Sequence, residues 1–251
     1  MLVLFNGCGG GRLSGGAKIQ NDITVAVNDY NSDNWEIRFN AIKKVSRYSN
    51  TVYAKNSFLL VFKALDDSHS EIRIEALKIL KSMKAPAAEK KITSLALLDE
   101  NANVRFFAYS ALGEYGNLQN EEIFIKGLQE RDWLVKEAAL KGLMTIKDPE
   151  IQIKNLDAIL NAVKGKNISI RLTAISNLNI RHPLIYDELA EIINNKESNL
   201  YVLKAALQKI KEYKLDARTK KRIIELLTSR DKNVRLLSLQ VLKQQELNLE
   251  L

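Results

Sequence analysis

Few side chains in this sequence are of a kind that could carry out chemistry. There are two histidines, His69 and His182, and one cysteine, Cys8. A zinc site needs several His, Cys or acidic ligands at close spacing, and a nucleophilic triad needs a base oriented by a third group. Neither histidine has a second His, a Cys or an acidic partner at such a spacing, so no catalytic residue, metal or cofactor is expected and the chain reads as non-enzymatic. The glycine-rich run from Gly9 to Gly16 follows no buried strand and lacks the Gly-Lys-Ser/Thr end of a phosphate loop, which makes it a tether by composition. Trp35 and Trp133 each stand three residues before a basic residue, Arg38 and Lys136. At a helix start such a ring packs on the following turn or offers a stacking platform.

The elements that must position these residues are set by a repeat. Seven segments share an apolar residue, usually a basic one next, a small residue three further on, an apolar one after that, and another three later. The basic position is held by Arg38, Arg73, Arg105, Lys136, Arg171 and Arg235, with Leu203 in the sixth copy. Ala41, Ala76, Ala108, Ala139, Ala174, Ala206 and Ser238 hold the small one. The steps between basic positions are 35, 32, 31, 35, 32 and 32 residues. Apolar positions at i, i+4, i+5 and i+8 line one stripe of a helix, and the small column lets a neighbour approach closely. A second apolar stretch precedes each segment, as in Phe58, Leu59, Phe62 and Leu65, or Ile123, Ile125 and Leu128, so each unit is predicted to be a helical hairpin. The intervening turns, such as Asp99-Glu100-Asn101-Ala102-Asn103, are rich in capping residues. Pro86, Pro149 and Pro183 all fall between units, where proline suits the first turn of a helix.

Composition agrees. With 46% hydrophobic and 27% charged residues the chain can bury a core, and three prolines among 251 residues punctuate too sparsely for a many-stranded protein. No apolar run reaches the roughly 18 residues that a membrane-spanning helix needs.

These segments resemble the HEAT-repeat family, whose antiparallel helix pairs carry a Val-Arg-x-x-Ala-like second helix. The resemblance covers about Ile19 to the C-terminus. It implies an all-α fold, an α-solenoid of about seven hairpins in a right-handed curved superhelix, with an armadillo-like concave groove. Residues 17–251 are expected to form the repeat domain, and 1–16 a truncated signal with a glycine-rich tether. In the family the basic column is usually structural. The column after it commonly faces the groove, and here it reads Phe39, Ile74, Phe106, Glu137, Leu172, Lys204 and Leu236. Phe39, Ile74, Phe106, Leu172 and Leu236 would form an apolar partner-binding stripe flanked by Lys43, Lys78 and Lys141.

The net charge is +8, and residues 126–251, with 23 basic against 16 acidic side chains, contribute +7 of it. Lys204, Lys209, Lys211, Lys214, Arg218, Lys220, Lys221 and Arg222 stand against only Glu212 and Asp216, a patch suited to phosphate, anionic lipid or an acidic protein.

At the N-terminus, Gly7-Cys8 resembles the end of a bacterial lipoprotein signal, in which a small residue precedes a Cys that is lipidated and becomes the mature terminus. Phe5 stands where that family prefers Leu, and only seven residues precede Cys8, so the signal reads as truncated. The resemblance implies a lipid-anchored protein of the bacterial envelope, with a cytoplasmic location as the alternative. The leading expectation is a scaffold that binds a protein or peptide along its groove. Nucleic-acid binding is the alternative: helical repeats and basic charge also resemble the HEAT-like alkylpurine DNA glycosylases, whose groove aromatic and acidic residue would correspond to Trp133 and Glu137. HEAT-like bilin lyases share the repeat, but no residue set here points to a pigment.

Overall fold

The computed structural model describes residues 15–197 and 199–247. Fifteen α-helices and no strand occur among the described residues. They pair into seven hairpins: α1 (Gly15–Asp29) with α2 (Trp35–Ser46), α3 (Ala54–Lys63) with α4 (Ser70–Met83), α5 (Glu89–Leu98) with α6 (Ala102–Tyr115), and α7 (Glu121–Gly127) with α8 (Trp133–Thr145). In the fifth hairpin two short helices, α9 (Pro149–Lys154) and α10 (Leu156–Lys164), precede α11 (Ile168–Ser176). The last two are α12 (Pro183–Asn194) with α13 (Leu200–Ile210), and α14 (Ala217–Leu226) with α15 (Lys232–Leu247). The chain divides into two compact units, Met1–Ala88 and Glu89–Leu251.

The start of each second helix is written four residues before the basic position. Asn34, Asn101, Asp132, Asn167, Asn199 and Asp231 each accept a backbone N–H of the first turn, satisfying donors that have no partner within the helix. His69 holds this place in α4 without a side-chain cap bond, and its own N–H is taken by Asp67 at 2.9 Å. Pro149 and Pro183 open α9 and α12 as predicted, and Pro86 opens a single 3₁₀ turn ahead of α5. Eleven residues after the basic position, Gly116 (φ 63°) and Lys84 (φ 46°) end α6 and α4 in the left-handed conformation.

In the first unit α2 packs on α4, and each second helix packs on its own first helix. In the second unit α6, α8, α11, α13 and α15 pack in succession, and α10, α12 and α14 form a parallel row. The predicted apolar columns are buried through the middle hairpins, for example Val104, Ala108, Tyr109 and Leu112, or Val202, Ala206, Leu207 and Ile210. Ile37 and Leu239, in the first and last hairpins, are each 43% exposed, and Ile170 in the fifth hairpin is half-buried. A hairpin stacked on one side buries fewer of its faces. Between α6 and α8 the small-residue principle goes further: a Cβ on Gly113 would lie 3.0 Å from the Gly142 Cα, so these helices touch backbone to backbone.

Three details differ from the sequence reading. Helix α1 begins at Gly15 and spans 15 residues, so Gly15 and Gly16 are helical where a tether to residue 16 was expected. In α3, Leu59 is exposed while Leu60 and Val61 are buried, and in α7 the buried ring is Phe124. The first helices therefore run in a register shifted from the one their apolar content suggests. Asn155 interrupts the fifth first helix, because its side-chain amide donates to the Ile151 carbonyl at 2.8 Å and to Glu121 at 2.7 Å. Cys8 and Gly9 to Arg12 lie outside the described residues.

Candidate functional site

The arginines of the basic column are occupied internally. Arg38 donates to the Ser32 and Asp33 carbonyls at 3.0 Å and grips Asp67 with two bonds of 2.9 Å. Arg105 repeats this with the Asp99 and Glu100 carbonyls and both oxygens of Glu130. Arg171 reaches the Val163 carbonyl and pairs with Glu197 at 2.8 Å, while Arg235 bonds the Ser229 and Arg230 carbonyls. Each guanidinium thus fastens its own turn, and three also fasten the turn of the next hairpin. Asp67 additionally accepts from the Tyr30 hydroxyl at 2.8 Å. Burial pushes the Asp67 carboxyl up, but the Arg38, His69 and Tyr30 donors outweigh it and hold it below the usual carboxylate range. Burial and Asp67 together push the Tyr30 hydroxyl well up.

On a second helix the residues three before, one after and five after the basic position share one face. In α8 these are Trp133, Glu137 and Lys141. The middle column is not the open apolar stripe expected from the sequence. Ile74 is buried, Phe39, Phe106 and Leu172 are half-buried, and Leu236 alone of the five is exposed, at 47%. Phe106 meets Phe107 edge-on with centroids 5.0 Å apart, and the Lys43 ammonium covers the Phe39 ring at 5.4 Å. Lys78 pairs with Glu75 at 3.6 Å, and Lys43, Lys78 and Lys141 are all exposed. Glu137 accepts the hydroxyls of Ser169 and Thr173 at 2.7 and 2.9 Å, so its carboxylate serves the next helix.

The apolar surface that is open lies one turn earlier, at the helix starts. In the second unit Trp133 and Leu134 open α8, Ile168 opens α11, and Leu200 and Tyr201 open α13; Trp133 is 46% exposed and Tyr201 69%. Since α8, α11 and α13 pack in succession, these side chains recur along one edge. In the first unit, Trp35 is stacked face to face on the His69 ring, 4.0 Å between centroids and 2° between planes. At the position equivalent to His69, the fifth hairpin has Asn167, and Trp133 has no ring partner among the described residues. A repeat-wide comparison of the column three before the basic position, Trp133, Ile168 and Leu200, was the signal available in the sequence.

Of the basic patch, three members are used internally: Lys204 pairs with Asp231 at 3.3 Å, Lys209 donates to the Leu178 carbonyl at 2.7 Å, and Arg222 bonds the Ile193 carbonyl and Glu225. Lys211, Lys214, Arg218, Lys220 and Lys221 are exposed, and the last three ride on the opening turns of α14, against its dipole. His182 accepts the Leu184 N–H through Nδ1 and caps α12. Among the described residues no group of three or more His, Cys, Asp or Glu is placed to hold a metal ion, and no helix is long and apolar enough to cross a membrane.

Two rows of helices joined by short turns and cross-linked between neighbours define an α-solenoid of stacked hairpins. Residues 59–123 match the HEAT-repeat family. The fold is similar to importin beta (TM-score 0.63, 13% identity, 94% of this chain and 38% of that one). It is also similar to the complex of CpcE and CpcF of phycocyanin lyase from Nostoc sp. PCC7120 (TM-score 0.55, 15% identity, 98% of both chains). A designed armadillo repeat protein in complex with the peptide (KR)4 resembles it as well (TM-score 0.50, 15% identity, 89% of this chain and 99% of that one). No curated protein sequence matches the chain. Residues 59–123 thus carry HEAT repeats, and the fold of the chain is an all-α, HEAT- and armadillo-like solenoid.

Proposed function

We propose that this solenoid is a non-enzymatic scaffold that binds a protein or peptide segment along the edge formed by the starts of α8, α11 and α13. The observation that carries this reading is the recurrence of Trp133, Ile168, Leu200 and Tyr201 as exposed large apolar side chains on successive second helices. Apolar surface kept open in this way favours a partner that covers it, and Trp and Tyr are the residues that most often dominate such contacts. Stacked hairpins also supply an extended preformed surface, which lowers the ordering cost of association. The designed armadillo repeat protein was solved with a peptide, which supports the same use of a related fold. Peptides selected by display against the full chain should lose at least about ten-fold in affinity on Trp133→Ala and Tyr201→Ala. They should be indifferent to Leu98→Ala, an exposed apolar residue in another column. Selected peptides indifferent to both Trp133 and Tyr201 would refute the proposal.

A phosphate-backbone ligand is the second reading, favoured by the five exposed cations around the start of α14. Binding of a single-stranded oligonucleotide that weakens steeply with salt, and is lost on Lys220→Ala with Lys221→Ala, would support it over the first. The proposal also retains a lipid anchor at Cys8 and an envelope location; an unmodified N-terminal peptide from a cytosolic fraction would remove both.

A further inference from the structure

We infer that the junction between the fourth and fifth hairpins contains a slot for a partner's carboxylate, with Lys136 as its cation. The inference deepens the scaffold reading and rests on it. At three other junctions a cation and an anion occur together: Arg38 grips Asp67, Arg105 grips Glu130, and Arg171 pairs with Glu197. Each acceptor stands six residues before the next basic position. At the last junction both are lost together, since the basic position is Leu203 and the acceptor position Ser229; there Lys204, one residue on, pairs with Asp231. Lys136 is the exception. The acceptor position six residues before Arg171 is Gly165, and no described residue pairs with Lys136.

The space left by the missing carboxylate is real. A cleft of about 400 Å3 opens there, with Lys136 and Lys166 on its walls and Leu128, Ala158, Ala162 and Ile170 supplying apolar surface. Lys136 is half-buried, and Lys166 likewise has no partner among the described residues. An ammonium partly withdrawn from water without a counter-charge is a standing cost, which an incoming carboxylate relieves. The apolar walls suit an aliphatic side chain beside that carboxylate. The slot is also close in sequence to the exposed apolar edge: Lys136 is one helical turn from Trp133, and the loop at Gly165 leads directly into Ile168. The ligand class is therefore an acidic segment with interspersed aliphatic residues.

The test uses the full chain and has two parts. In urea denaturation, Arg105→Met should lower the midpoint, because it breaks a bidentate pair, while Lys136→Met should leave it unchanged or raise it. An equal drop for both would show that Lys136 is already satisfied within the protein and overturn the inference. In fluorescence anisotropy, fluorescein-labelled (Glu-Leu)4 should bind at least about ten-fold more tightly than (Gln-Leu)4. That preference should vanish in Lys136→Met and in Gly165→Glu, which restores the carboxylate found at the equivalent Glu130 and Glu197. Gly165 has φ −56° and ψ 162°, a conformation open to any residue. It should persist when Lys220 and Lys221 are replaced by Ala. An acidic preference that survives Lys136→Met, or no binding of either peptide, overturns the slot, while the scaffold reading is judged separately by whether display-selected peptides depend on Trp133 and Tyr201.

Discussion

Replacement of Asp67 by Asn should be among the most damaging single-atom changes in the first unit. Asp67 is joined to Arg38, to the Tyr30 hydroxyl and to the His69 N–H by four bonds of 2.8 to 2.9 Å. The side chains of Arg38 and Asp67 are only 14% and 4% exposed, which separates this pair from the surface ion pairs worth about 0–1 kcal/mol. Breaking a buried pair by removing one charge costs about 3–5 kcal/mol; because Arg38 keeps the Ser32 and Asp33 carbonyls, the expected loss is near the lower end, about 3 kcal/mol. Urea denaturation followed by helical circular dichroism gives the total. Trp35 fluorescence in a Trp133→Phe background reports the site itself, because Trp35 stacks on the residue whose N–H donates to Asp67. The dependence on pH is a second check. A carboxyl whose folded pKa lies below its unfolded value contributes stability that is present above the unfolded pKa, about 3.9, and is lost as pH falls through the folded one. The gap between wild type and Asp67→Asn should therefore be full at pH 7 and shrink below about pH 4. A loss under about 1 kcal/mol at pH 7, or a gap that stays constant into acid, would refute the reasoning.

The remaining predictions concern backbone and packing. Lys84→Gly should raise stability by about 0.5–1 kcal/mol, measured as a shift in thermal or urea midpoint, since Lys84 closes α4 at φ 46° in the place that Gly116 fills in α6. The reverse change, Gly116→Ala, should lower it by about 1 kcal/mol. Gly142→Ala should cost about 1–3 kcal/mol and lower the melting temperature, because the added methyl is directed into the fully buried Phe124 ring, which cannot yield without disturbing α7.

Much of the fold was legible because the second helices satisfy several independent rules at once. The small column, the basic column and the capping residues all recur at fixed offsets, so the sequence alone assigns Ala108 and Val135 to the core, where both are fully buried. The first helices were less legible. Phe124 and Leu59 are both apolar, yet one is fully buried and the other exposed, because α3 and α7 are too short and too uniformly apolar for periodicity to choose a face. The candidate surface was half legible. The apolar column of Phe39, Ile74 and Phe106 was visible, but its burial depends on how far each side chain folds onto its neighbours, as Ile74 shows. The helix-start position of Trp133 was visible in the sequence, but the edge it forms with Ile168 and Leu200 depends on how far these side chains stay open when α8, α11 and α13 pack.

The spacing between a turn's acidic residue and the basic position that follows it bears on how such a chain can grow. Asp67 to Arg73, Asp99 to Arg105, Glu130 to Lys136 and Glu197 to Leu203 each span six residues, although whole units vary from 31 to 35. All the length variation therefore falls between one basic position and the next acidic one, where the outer connections and first helices lie. Where the fastening occurs, a unit carries the acceptor for the unit before it, as Asp67, Glu130 and Glu197 do, and the donor lies in that preceding unit. Duplicating two such adjacent units whole reproduces both ends of the fastening, so tandem gene duplication can lengthen the array without redesigning a joint, whereas an indel inside the six-residue span breaks one.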